Sequence, residues 1–148
     1  MLMDEIIVSI MSVQALADDL HYRSIGSSFY ASHLLADRVK DGLDKTIDAI
    51  KEVYFLGELK SEPPSTDYLM EQAAKMVSAT RKTASEGETD SNNALIASLM
   101  LGIDLLAKNI ELFKKENANL MSGTVALLDG LSQSMLLSYG LLNRNLLY

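Results

Sequence analysis

Between its few helix breakers the chain repeats apolar residues at intervals of three and four, the spacing of one helix face. No run of alternating apolar and polar residues marks a strand or a hairpin. The first helical stretch covers about residues 4–21, with Ile6, Ile7, Ile10, Val13, Leu16 and Leu20 in one apolar stripe. A loop over 23–27 follows, in which Gly26 can take a positive φ and Ser27 or Ser28 can cap the next element. The spacing predicts a second, long helix over about 28–56, with Gly42 tolerated inside it at about 1 kcal/mol and Gly57 and Pro63-Pro64 closing it. Residues 65–90 hold a shorter helical pattern (Tyr68, Leu69, Ala73, Met76, Val77), then a polar stretch over 83–93 that reads as loop. Two more long helices are expected, over about 93–116 and 122–143. The sum is an all-α single domain over 1–148: a four-helix bundle with a short extra helix in the long crossover between the second and third helices.

Composition narrows the chemistry. The chain has no cysteine and no tryptophan, which removes disulfide frameworks, four-cysteine zinc sites and cysteine catalysis. A net charge of −7 repels nucleic acid and anionic membranes at long range and attracts metal cations. The first residues, Met1 to Glu5, are acidic where a signal peptide would be positive. The longest uncharged runs, 91–103 and 131–143, fall short of the about 20 residues that span a bilayer. A cytoplasmic protein without a membrane partner is expected. Phosphate-binding glycine loops, nucleophile elbows and Glu-x-x-His pairs are absent. The eight methionines read as core filler.

Candidate metal chemistry lies in five residues. His33 is followed at i+4 by Asp37, and Asp48 at i+4 by Glu52, so each pair shares a helix face. On one straight helix, Asp37 and Asp48 would stand about 16 Å apart, while a metal–ligand bond is only about 2.0–2.2 Å. One copy therefore cannot bring both pairs to the same ion. Two copies packed antiparallel about a two-fold axis can, the His33/Asp37 end of one meeting the Asp48/Glu52 end of the other. His21, at the end of the preceding helix, completes the nitrogen side. Such a mixture of imidazole and carboxylate suits iron, zinc or manganese. Either pair alone reads by default as a solvated charged stripe, with Lys45 and Lys51 beside the second; the five residues together are harder to dismiss.

The series His21, His33, Asp37, Asp48, Glu52, with its intervals of eleven, three, ten and three residues, resembles the ferroxidase motif of the Dps family of mini-ferritins. Leu20-His21-Tyr22 is similar to that family's Leu-His-Trp; Gly26, Phe29 and Leu56-Gly57 also match, over about residues 15–57. The resemblance implies a ferritin-like fold and a homo-dodecameric shell acting against oxidative stress. In it, His21, His33 and Asp37 of one subunit would face Asp48 and Glu52 of the partner subunit. Iron(II) would be oxidised there by hydrogen peroxide or oxygen and stored as ferric mineral, with zinc or manganese as substitutes. Tyr22 stands where the family has tryptophan, and the last helix lacks the family's Glu-Lys followed by tryptophan. Pore acids are sparse, Glu116 and Asp129 being the candidates. The lysine-rich tail that many members use on DNA is missing, so DNA binding is not expected. The competing readings are a DNA-protecting shell and a non-enzymatic bundle. Apolar residues near both ends (Leu2, Met3, Leu146, Leu147) suit packing in an assembly or simple burial on the bundle.

Overall fold

A computed structural model describes residues 1–59, 61–85 and 91–146, and no strand occurs among them. The helices are α1 (Met3–Arg23), α2 (Phe29–Lys40), α3 (Leu43–Ile50), α4 (Thr66–Ser85), α5 (Asn92–Glu116) and α6 (Ser122–Asn145). A π-helical segment, Lys51–Gly57, continues α3 without a gap.

Helices α1 and α5 lie antiparallel along their whole length, and four contacts mark the register. The N-terminal ammonium pairs with Glu116 at 2.7 Å, and Asn109 Nδ2 donates to Ser9 Oγ at 2.9 Å. At Gly102, a Cβ would stand 2.7 Å from Leu16 Cδ1, so the missing side chain is what lets the helices close. Asn92 reaches Ile25 at the far end. Ile6, Ile10, Val13 and Leu16 of α1 and Leu99, Ile103, Leu106 and Ile110 of α5 are essentially fully buried between them. Each such side chain contributes about 1.5–3 kcal/mol by leaving water.

The other half of the bundle pairs α2, α3 and the π-helical segment with α6, again antiparallel. Asn145 Nδ2 donates to Ser32 Oγ at one end. At the other, Glu58 accepts from the Met121 amide and the Thr124 hydroxyl, satisfying the first turn of α6. Since α2 also runs antiparallel to α1, the course is up, down, down, up. The return connection carries α4, which packs on α1 and α5.

Three expectations change here. The single helix over 28–56 is divided: α2 stops at Lys40, and Gly42 sits at φ +81, outside helical space. Asp41-Gly42 is a turn signal, and its local preference outweighs an apolar period (Ala36, Val39, Leu43, Ile50) that runs straight through the break. The about 16 Å separation of Asp37 and Asp48 along one axis therefore does not apply. Downstream, the wider turn of the π-helical segment buries the adjacent Tyr54 and Phe55 together, and the Glu58 amide bonds five residues back to Val53. Finally, α4 is a 20-residue helix with Leu69, Ala73 and Val77 buried, not a short one; of the expected loop over 83–93, residues 86–90 lie outside the described residues.

The chain ends are mixed. Met3 is buried and Leu146 partly so, Leu2 is exposed, and Leu147 lies outside the described residues. Helix α6 is long and apolar enough, by length and composition, to cross a membrane; the uncharged runs noted above understate it, because only Asp129 and Arg144 interrupt its 24 residues.

Candidate functional site

The loop between α1 and α2 is held from outside. Gly26 turns the chain at φ +83. Asn92, on the first turn of α5, accepts from the Ile25 amide at 2.9 Å and donates to the Ile25 carbonyl and to Ser28 Oγ. Ser91 caps α5 by accepting from the Ala94 amide, which fixes Asn92 in turn. This clamp folds α2 back along α1 and places His33 against His21.

The two imidazoles lie with ring centres 3.8 Å apart and planes tilted by 43°, their Nε2 atoms 2.9 Å from each other. His33 Nδ1 lies 2.9 Å from the His21 carbonyl oxygen. A carbonyl can only accept, so Nδ1 of His33 carries the proton and its Nε2 presents a lone pair. That contact also satisfies one of the carbonyls left open at the end of α1. Between neutral rings, His21 Nε2–H then donates to His33 Nε2. His21 Nδ1 is left as a buried acceptor with no hydrogen-bond partner among the described residues.

Burial holds the His21 imidazole below its ordinary proton affinity, and His33 and Lys40 push the same way; Asp37 and Asp18 oppose them without reversing the shift. Neutral rings are the ligating form. Two nitrogens about 2.1 Å from one ion and at right angles around it stand about 3 Å apart. The observed 2.9 Å is of that size, but His21 Nε2 would ligate only after its proton moves to Nδ1. The carbonyl behind His33 is the outer partner that orients a ligating histidine.

Asp37 is exposed one turn beyond His33 and borders an open groove of about 590 Å³ at the α2–α3 corner. Asp37, Asp41 and Asp44 face Arg38, Lys40 and Lys45 there, so the groove carries both signs. Asp48 and Glu52 are exposed on α3 and the π-helical segment. Within one chain no group of three or more His, Asp or Glu side chains converges, among the described residues. The structure thus brings His21 and His33 together, keeps Asp37 in their field, and leaves Asp48 and Glu52 facing outward.

Two further side chains adjoin the histidines: Lys40, which carries no sequence signal of its own, and Tyr22. Lys40 pairs with Asp18 and sits 5.6 Å from the centre of the Tyr22 ring. Tyr22 is 70% exposed, and its ring centre is 4.4 Å from that of His21. Asn92 acts from 67 residues away along the chain, beyond any local pattern. The two candidate pore acids are both engaged, Glu116 with the N-terminus and Asp129 with Lys114. Met3, Met100 and Met135 are buried in the core, as filler should be, whereas Met70 is exposed.

Comparison of the chain with known protein families, with curated proteins and with solved structures finds no match.

Proposed function

We propose that the chain is an iron-oxidising and iron-storing subunit of the Dps mini-ferritin type, with ferritin-like topology and sites completed by a second copy. The observation that carries this reading is the approach of the His21 and His33 imidazoles, Nε2 to Nε2 at 2.9 Å, with Asp37 exposed one turn beyond His33. Two nitrogens are part of a ligand set, and Asp37, which does not converge with them within one chain, would join it by turning toward them. The outward-facing Asp48 and Glu52 of the partner subunit supply the rest when two copies meet about a two-fold axis. The up-down-down-up course with one long crossover supports the ferritin-like assignment. Iron(II) is the substrate: two ions give one electron each to hydrogen peroxide, whose O–O bond breaks to hydroxide. The acidic surface draws cations toward the shell and disfavours DNA as a partner.

Complementation tests the shared site. His33→Ala and Asp48→Ala should each abolish protein-dependent ferric absorbance after Fe(II) and peroxide are added. Co-expressed, they should restore about a quarter of the wild-type rate, because half of randomly formed two-fold pairs keep one intact site of two. Full activity in either single variant would show that the residues are misassigned. Two inactive variants that stay inactive in mixed assemblies of confirmed composition would place the site within one chain. Absence of iron oxidation by the wild type would leave the non-enzymatic bundle.

A further inference from the structure

A cleft of about 360 Å³ opens where the first half of α1 and the first half of α4 meet the second half of α5. That volume lies at the lower end of the range for small-molecule sites. The cleft is remote from the histidines, since Glu5 and His21 stand about 24 Å apart along the axis of α1.

One side of the cleft is polar and fixed. Ser9, essentially fully buried, donates its hydroxyl proton to the Glu5 carbonyl at 2.8 Å. A hydroxyl has one proton to give, so its contact with Asn109 at 2.9 Å is a donation by Asn109 Nδ2. The amide is thereby oriented, and Asn109 Oδ1 is left as an acceptor with no partner among the described residues. Asp4 and Glu5 line the same space, and neither carboxylate has a salt bridge or a hydrogen bond to another residue among the described residues. Partial burial holds the Asp4 carboxyl above its ordinary range, and Glu5 adds to this against a backbone hydrogen bond. No Lys, Arg or His side chain lines the cleft among the described residues; the N-terminal ammonium at its edge is already paired with Glu116 at 2.7 Å. The other side is apolar, with Val8, Met76 and the half-exposed ring of Tyr68.

We propose that this cleft binds a small alkylammonium ion, its charged end among Asp4, Glu5 and Asn109 Oδ1 and its carbon chain against Tyr68, Val8 and Met76. The site does not rest on the iron reading. An ammonium carries three donors and no acceptor, the complement of a space whose carboxylates and amide oxygen are unpaired. The face of the Tyr68 ring attracts such a cation, and the Met76 thioether is an adaptable surface for a chain. An anion would meet two carboxylates beside an ammonium that is already engaged. A neutral apolar molecule would cover Asp4 without giving it a partner. A bare metal ion is the poorer occupant, because no third His, Asp or Glu side chain converges here among the described residues.

Isothermal titration of the full chain with n-butylammonium chloride at low salt should give a saturable heat. The neutral 1-butanol, of matching chain length, should give none. Asp4→Asn with Glu5→Gln should weaken binding at least tenfold, and Tyr68→Leu by about two- to fivefold. Asp48→Asn with Glu52→Gln removes as much charge elsewhere and should leave binding unchanged, which separates this cleft from the proposed metal site. Absence of a saturable heat in the wild type overturns the proposal, as does equal binding of 1-butanol. Equal losses in the two double variants would mean that the cation follows the overall charge, and overturn it too. Displacement of butylammonium by magnesium chloride, but not by sodium chloride of equal ionic strength, would give the carboxylates to a metal ion instead.

Discussion

The two antiparallel halves of the bundle obey the same apolar period and turn out differently. In the α1/α5 half, helices of 21 and 25 residues run unbroken, and polar rungs at both ends hold the register. In the other half, α6 runs straight beside a partner that breaks at Gly42 and widens into a π-helical segment. Helix α4 shields the first half, whereas the second presents Tyr30, Leu34, Leu56, Leu136 and Leu137 to the surface. The candidate metal chemistry sits on this second half and at its junction with the first. Stability is concentrated where the period is satisfied on all sides, and the groups free to meet a second copy lie where it is not.

The largest effect should separate the halves by truncation alone. Leu106 of α5 is fully buried, and Leu106→Ala should cost about 2–5 kcal/mol from lost transfer and the cavity left behind. That is a large share of the about 5–15 kcal/mol that holds a typical domain. The same change at Leu136 of α6, 63% exposed, should fall within about 0.5 kcal/mol in the subunit. Urea unfolding at a protein concentration where the subunits are separate measures both. Equal losses would erase the contrast between the halves.

A smaller effect tests the break itself. A Cβ at Gly42 would meet no atom within 4 Å, so the only cost of Gly42→Ala is the left-handed backbone. That cost is about 1–2 kcal/mol, seen as a lower urea midpoint at unchanged slope. No loss would mean that the stretch straightens into the continuous helix the apolar period suggests.

This break marks where the sequence stops being legible. Apolar spacing places α1, α5 and α6 to within about two residues, because an apolar stripe runs unbroken through each of them. At Asp41-Gly42 two signals conflict, and Ala36, Val39, Leu43 and Ile50 keep the helical count on both sides of the turn. In the site, the approach of His33 to His21 was readable from a short loop with a turning glycine. The Asn92 clamp that holds this loop was not, since it depends on tertiary contact between distant parts of the chain. The outward-facing Asp48 and Glu52 have no partner to be read from one chain.

The smallest expected effect concerns His21, where the two halves meet. Burial, with His33 and Lys40 adding to it, lowers its pKa in the folded chain below the ordinary 6.5. The unfolded chain therefore takes up the proton first as pH falls. Between 6.5 and the lowered folded value the unfolded state binds more protons, so stability rises with pH across that window. The contribution is present above 6.5 and is lost as pH falls through the folded value. Melting temperature measured from pH 7.5 to 5 should fall more steeply for the wild type than for His21→Gln, which keeps a polar side chain but cannot titrate there. The difference between the two curves isolates His21, because the carboxylates are common to both proteins. Parallel curves would mean that the imidazole accepts its proton freely in the fold. The buried Nδ1 argues otherwise: a charged ring would carry an N–H there with no acceptor among the described residues. The strain that resists the proton is what keeps the His21 ring neutral.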